Sequence, residues 1–483
     1  MSYIENLKKV SNSLIITILL IIIAFIIRFY KFDSIGFWGD EYLTFWLSEP
    51  IYSFSYINKK TLDSPDFVPA LYYFILNLYN HYFDYSAYFL RLFHIIFGSA
   101  CLIITYFISK FLLNRSSNNL VLYLLAFNLF LVWSATEVRV VSFALFFQLL
   151  SIYVFLLCLK NIKKNKIFIN NFFLFLSNLI SLSIHPLSIV IVISQCVLLI
   201  IILLVNKFNI QKKYVLYYLI CIVATVIIYI ILNKSYFFNS IENTRLDNHN
   251  QLNLNFFLGY NFKHYFSSYI LGFINLLIIL VTIITFRNKI FENIYLFYLF
   301  LLFISTYLFI IIGSFLLTGM NGQRYWSYLV PIITIMNIYY LTVINRNLIS
   351  KFFLIMLVFY TPFIFFKNFK FPQVKKPDTP ELIKQINFSN TYNVVSENYG
   401  MFENYLTKGY KNSKIILLKE NQIESIENDF WYLCLDLTWH QDKGSYWKEM
   451  YDCSLKNKNI LSFNKVNSIR LQGYVITKYE FQK

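Results

Sequence analysis

In 483 residues the chain carries 58% hydrophobic and only 14% charged side chains, where soluble proteins average about 25% charged; its mean hydropathy is +0.55. That balance excludes a soluble globular enzyme and points to a polytopic α-helical membrane protein. The net charge of +17 is not a nucleic-acid footprint, because the lysines form short clusters between apolar runs, as in loops beside anionic lipid.

About eleven spans are expected, at residues 12–30, 88–113, 119–134, 140–159, 167–184, 187–206, 214–232, 267–286, 291–312, 325–344 and 350–368. The first is too long for a cleavable signal peptide and lacks a small-residue cleavage site after it. Basic residues occupy alternate gaps: Lys8 and Lys9; Lys110 and Arg115; Lys160, Lys163, Lys164 and Lys166; Lys207, Lys212 and Lys213; Arg287 and Lys289; Arg346 and Lys351. The positive-inside rule puts these in the cytoplasm, with the N-terminus inside and the C-terminus outside. Asp40, Glu41, Glu137, Arg139, His185, Arg245, Asp247 and Arg324 fall in the opposite gaps. Phe67 to Phe83 is long enough to imitate a span, but Pro65 and Pro69 introduce it. It reads as a helix lying in the outer interface, one of two in a first outer loop over 31–87.

After Phe366 the chain turns polar, with a linker marked by Pro372, Pro377 and Pro380. Strand-like runs at Asn393-Val394-Val395 and Ile415 to Leu418 predict a small α/β domain on the outer face. The expected division is a membrane domain over 1–368 and a soluble extracytoplasmic domain over 369–483. Cys101, Cys158, Cys196 and Cys221 lie in spans and act as small hydrophobes. Cys434 and Cys453 lie in the tail and can pair if it is exported. Trp431, Trp439 and Trp447 offer sugar-stacking rings or, equally, the domain's core.

The chemistry-bearing residues gather on the expected outer side. Trp38-Gly39-Asp40-Glu41 sets two carboxylates beside an apolar wall. Asp40 suits a general base or metal ligand, and a helix N-terminus also favours such acids. Glu137 and Arg139 sit in a very short loop, either paired together or with Glu137 facing Asp40 across a cavity and Arg139 meeting an anionic ligand. His185-Pro186 opens the third outer turn, as a ligand contact or an interfacial residue. Arg324 and Tyr325 end the stretch Gly319 to Tyr325, where an arginine can fork onto a phosphate or snorkel. Arg91 begins the second span on the same side, a ligand contact or a salt-bridge partner of Asp84. No HExxH or CxxC metal pattern occurs. Carboxylates with arginines on one face suit displacement of a phosphate leaving group by a hydroxyl.

In these motifs the chain resembles the GT-C glycosyltransferases, in particular the bacterial dolichyl-phosphate-mannose-protein-mannosyltransferase-like branch that includes the aminoarabinose transferases of lipid A. Phe37 to Glu41 matches the acidic pair of the first outer loop. Val68-Pro69-Ala70-Leu71-Tyr72-Tyr73 resembles the family's His-Pro-Pro-Leu-Tyr-Tyr, with Val68 in place of His and Ala70 in place of the second Pro. Arg91-Leu92 with Phe97-Gly98, Ser134 to Arg139, His185 with Gln195, and Arg324-Tyr325 with Pro331 resemble further family elements.

The resemblance implies a polyprenyl-phosphate sugar as donor, inversion at the anomeric carbon, and a lipid, glycan or protein acceptor outside the cytoplasmic membrane of a bacterium. By the match, Asp40 is the general base, with Glu41 beside it, and Glu137 is a second acid of the site. Arg91, Arg139, His185, Arg324 and Tyr325 are the expected substrate-binding residues, with Arg324 on the donor phosphate. Some members of the family use a divalent metal ion and others none; if one is held here, Asp40 and Glu137 are its expected ligands. Two other readings stand beside this one. A ligase or polymerase acting on a lipid-diphosphate glycan calls for more outer cations, and a transporter calls for internal repeats and broken mid-bilayer helices.

Overall fold

The computed structural model of the chain describes residues 2–30, 32, 36–37, 39–62, 68–162, 167–205, 211–234, 236, 261–316, 323–344, 347–369, 379–396, 401–410, 413–419, 426, 428–435, 463–471 and 474–481. In chain order the helices are α1 (Ser2–Phe29), α2 (Gly39–Leu47), α3 (Phe54–Leu62), α4 (Ala70–Tyr82), α5 (Ala87–Ser109), α6 (Arg115–Ala126), α7 (Leu129–Thr136), α8 (Val140–Asn161), α9 (Ile167–Ile184), α10 (Ile189–Leu204) and α11 (Lys212–Leu232). There follow α12 (Asn261–Phe266), α13 (Tyr269–Glu292), α14 (Ile294–Leu316), α15 (Leu329–Tyr339), α16 (Leu348–Asn368), α17 (Thr379–Phe388) and α18 (Met401–Lys408).

The helices α5, α8, α9, α10 with the Pro186–Ser188 turn before it, α11, α14 and α16 are each long and apolar enough to cross a membrane. The apolar parts of α1, α13 and α15, Leu14–Phe29, Tyr269–Thr285 and Leu329–Ile344, are shorter and lie at three other expected spans. The remaining expected span, 119–134, is not one helix. It breaks into α6 and α7, bent by 59°. Asn128 makes the break: its side-chain carbonyl accepts the Leu131 N–H as an N-cap, and its amide donates 2.8 Å to Tyr265 O. A short amide side chain that replaces a backbone acceptor starts a new helix inside an apolar run.

Three stripes of large apolar side chains stay exposed at helical spacing: Ile15, Ile18, Ile22 and Ile26 on α1; Ile220, Val223, Ile227 and Ile231 on α11; Phe352, Ile355, Phe359 and Phe363 on α16. Water would penalise these faces and acyl chains do not, as in a multi-pass membrane protein. Because lipid is as apolar as leucine, close packing and internal hydrogen bonds hold the helices together. Leu149, Ile152 and Phe155 of α8 are fully buried with Ile191 and Leu198 of α10, Leu299 of α14 and Ile335 of α15. Gln195 joins three helices, accepting from Asn178 Nδ2 at 2.8 Å and donating to Ser151 Oγ at 3.1 Å. This residue of the His185–Gln195 element is therefore interhelical glue.

The chain divides into two compact units. The first comprises Met1–Phe29, Phe54–Tyr72 and His94–Phe369. The second groups Tyr30–Ser53 and Tyr73–Phe93 with Lys370–Lys483. The segment 31–87 holds three helices, α2, α3 and α4, where two were expected. Lys59 and Lys60 dilute the apolar signal of α3. At 13 residues, α4 is shorter than the roughly 20 a crossing needs.

The tail carries the expected α/β fold. Strands β1 (Asn393–Ser396), β2 (Ile416–Lys419), β3 (Phe430–Leu435), β4 (Phe463–Leu471) and β5 (Tyr474–Phe481) form one sheet of order β2-β1-β3-β5-β4. β1 runs parallel to both β2 and β3, while β5 is antiparallel to β3 and β4. Val395, Phe430, Tyr432 and Tyr479 fill one face of its core. Trp431 is also core, its indole N–H donating 2.9 Å to Ser389 Oγ; Trp439 and Trp447 lie outside the described residues. Cys434 is in a disulfide, and its expected partner, Cys453, lies outside the described residues.

Gly98 sets the approach of α5 to α7. A Cβ there would lie 2.4 Å from Ala135 Cβ and 3.1 Å from its Cα. Backbone has to move to admit it, an overpacking cost of about 1–3 kcal/mol. Gly98→Ala should lower the thermal midpoint of the detergent-solubilised protein by several degrees, read by a fluorescence melt; an unchanged midpoint would refute the close approach.

Candidate functional site

Within the first unit the chain ends of four apolar helices bring five expected residues together. The short link after α7 places Glu137 at the helix end and Arg139 at the start of α8, both in extended backbone and both buried. Arg324 reaches in from the one-turn 3-10 helix Gln323–Trp326 ahead of α15. Its Nη1 lies 3.9 Å from Glu137 Oε2, and its guanidinium carbon lies 5.6 Å from the centre of the Trp133 ring. The Glu137 side chain is 1% exposed and that of Arg324 31%, so the pair has a buried acid and an open cation.

His185 closes α9 just before Pro186, which cannot continue the helix hydrogen bonds. Its ring is 3% exposed and lies 5.4 Å from Tyr325 at 35°. The Nδ1 has no hydrogen-bond partner among the described residues. Burial, with Arg139 nearby, holds its pKa down to about 4, so the imidazole is neutral at physiological pH. Sequence reading missed Trp133; its signal was an aromatic one turn before Glu137 on α7. Gly319 to Gly322 lie outside the described residues.

The second unit holds Asp40, Glu41 and Arg91. Asp40 and Glu41 stand in the first turn of α2, where carboxylates face the positive end of the helix. Asp40 is exposed and Glu41 fully buried, so the adjacent acids occupy opposite environments. Arg91, expected to bind substrate, is 1% exposed. Its Nη1 donates 2.8 Å to Phe32 O and its Nη2 2.9 Å to Gly36 O, and its guanidinium lies 4.7 Å from the Phe37 ring centre. The guanidinium is thus committed to the loop that leads into α2.

Sequence reading also missed His94, fully buried on α5, whose Nε2 lies 2.7 Å from Tyr72 Oη. That bond ties the Val68 to Tyr73 element to the second expected span. No group of three or more His, Cys, Asp or Glu side chains converges among the described residues.

The depressed pKa of His185 has a sign. Unfolded, the group takes up a proton near pH 6.5; folded, only near 4. Acid therefore favours the unfolded state, and the stability from burying a neutral ring is present above pH 6.5 and lost as pH falls toward 4. The midpoint of the wild type should fall through that window, and that of His185→Asn should fall less. Parallel melting curves from pH 7 to 4 would contradict the assignment.

No protein-family model matches the chain, and no curated protein does. Solved structures do. ArnT from Cupriavidus metallidurans, bound to undecaprenyl phosphate, superposes with a TM-score of 0.55 at 9% identity, covering 95% of this chain and 97% of that one. The archaeal oligosaccharyltransferase AglB from Archaeoglobus fulgidus, in complex with an inhibitory peptide and a dolichol-phosphate, gives 0.52 at 11% identity, covering 82% of this chain. The match spans only 63% of AglB's own length. A second structure of the A. fulgidus enzyme, complexed with zinc and sulfate, gives 0.51 at 12% identity, covering 80% and 61%. Among the described residues, seven membrane-length apolar helices, further shorter apolar helices and a small terminal sheet thus have the GT-C fold that these glycosyltransferases share.

Proposed function

We propose that the protein is an integral membrane glycosyltransferase that moves one sugar from a polyprenyl-phosphate carrier to an acceptor on the extracytoplasmic side. The observation that carries this reading is the Glu137–Arg324 pair: a buried carboxylate orienting a part-exposed guanidinium at the mouth of an apolar bundle. That arrangement suits a phosphate whose lipid tail stays in the membrane. The near end-to-end likeness to an ArnT bound to undecaprenyl phosphate favours a single-sugar transferase over a ligase of lipid-diphosphate glycans.

In this mechanism an acceptor hydroxyl gives its proton to the Asp40 carboxylate as its oxygen attacks the anomeric carbon. The new carbon–oxygen bond forms on the face opposite the phosphate, which inverts the configuration. The old bond breaks, and its electron pair stays on the phosphate oxygen. The leaving polyprenyl phosphate gains a negative charge, and Arg324 and Arg139 stabilise it. Glu137 keeps Arg324 in place, and the neutral His185 with Tyr325 contacts the sugar or phosphate without adding charge. Glu41, buried beside Asp40 in the first turn of α2, helps keep the helix start ordered.

The orientation follows the lysine clusters, with Asp40, Glu137, Arg324 and the tail outside. The disulfide at Cys434 supports it, since disulfides persist in oxidising compartments and are rare in the cytosol.

Deleting the gene should cause a polyprenyl-phosphate sugar to accumulate and one surface glycan modification to disappear, both read by mass spectrometry of lipid and envelope extracts. An unchanged lipid-linked pool would reject the proposal. Asp40→Asn should fail to restore the modification at normal protein abundance; restoration at the wild-type rate would remove Asp40 as the base. Arg324→Ala should raise the donor concentration needed for half-maximal transfer by about tenfold or more while leaving acceptor dependence unchanged. Equal losses for both substrates would argue against a phosphate contact.

A further inference from the structure

We propose that Tyr405, supplied by the C-terminal segment, is a positioning residue for Asp40, so that the soluble domain completes the acid-bearing loop. This inference rests on the reading of Asp40 as the base.

Among the described residues, four hydrogen bonds hold the backbone leading into α2. Arg91 binds Phe32 O and Gly36 O. Tyr42 Oη donates 2.9 Å to Phe37 O, and Phe37 N–H donates 2.8 Å to Tyr405 Oη. Asp40 follows three residues later. The last of these bonds joins positions 368 residues apart. The Tyr405 side chain comes from α18 and is fully buried. Its ring stacks on Phe37 at 4.5 Å and 16° and lies 5.0 Å from Tyr42 and 5.8 Å from Phe45. Its hydroxyl also meets Tyr410 Oη at 2.6 Å.

The same short helix grips α2 beyond its other end. Lys408 forms an ion pair with the buried Glu49 carboxylate, and Gly409 O accepts from Ala87 N at 3.1 Å. A soluble domain that served only to recognise acceptors would have no need to supply a hydrogen-bond acceptor to the loop before the catalytic acid. A buried N–H robbed of its acceptor loses its only compensation for desolvation. The loop then shifts, and a carboxylate displaced by an ångström is a poor base.

The test uses membranes from cells lacking the gene, which retain both the accumulated carrier-linked sugar and its unmodified acceptor. Purified full-length variants are added in amounts matched by folded protein, and consumption of the carrier-linked sugar is followed while lipid extract from the same cells is titrated in. Tyr405→Phe keeps the ring stack and removes the hydroxyl. It should lower the saturated rate by about tenfold or more, with the half-saturating amount of extract unchanged. An unchanged saturated rate, even with a lower melting temperature, would overturn the inference and leave Tyr405 a packing residue. If Tyr405→Phe does not accumulate, Tyr410→Phe replaces it with an expected fall of about threefold, and an unchanged rate there also overturns the inference. Asp40→Asn is run alongside. If it is inactive while the tyrosine variants are unaffected, only the positioning inference fails; if it is fully active, the base assignment fails and this inference with it.

Discussion

A carboxylate set against hydrocarbon has to be answered by the protein, because the solvent there cannot answer it. Glu137 is a buried acid at the end of an apolar helix, and Arg324 is brought to it. The acid lies at the end of α7 with almost no surface, and the guanidinium that approaches it arrives from a turn about 190 residues further along the chain. Holding that cation next to its acid fixes where the turn before α15 must run. It also fixes which side of the guanidinium stays open. At 3.9 Å the pair is long for a hydrogen-bonded salt bridge, and the guanidinium keeps part of its surface open.

The second unit answers a different demand. It orders the backbone that leads into α2, where Asp40 stands in the first turn. Arg91 spends its guanidinium on two carbonyls and an aromatic face, so its charge sits under the loop as a brace. Glu49, two residues beyond the end of α2, forms an ion pair with Lys408.

Much of this was legible in one dimension. Hydropathy runs locate the apolar segments because membrane insertion depends on about twenty consecutive residues and little else. Short runs of adjacent apolar residues, Val394-Val395 and Ile415 to Leu418, located two strands of the tail. The residues of the first-unit site were legible because charge at the expected outer edge of an apolar chain is scarce, which left few candidates. What escaped were features that depend on partners far away. Arg91 looks like a ligand-binding cation until the carbonyls of Phe32 and Gly36 appear beside it. The grouping of the first-loop segments with the tail could not be read, since α18 and α2 are separated by most of the chain. Nor could the break at Asn128, where one amide side chain outweighs the apolar run around it.

That break sets a depth. A straight helix continuing α6 through the eight residues of α7 would advance about 12 Å along its axis. Turned by 59°, the same residues advance only about 6 Å. Glu137 therefore stops roughly one helical turn short of where an unbroken span would carry it. A single asparagine thus sets how far along the direction of α6 the chain has advanced when it reaches the buried acid.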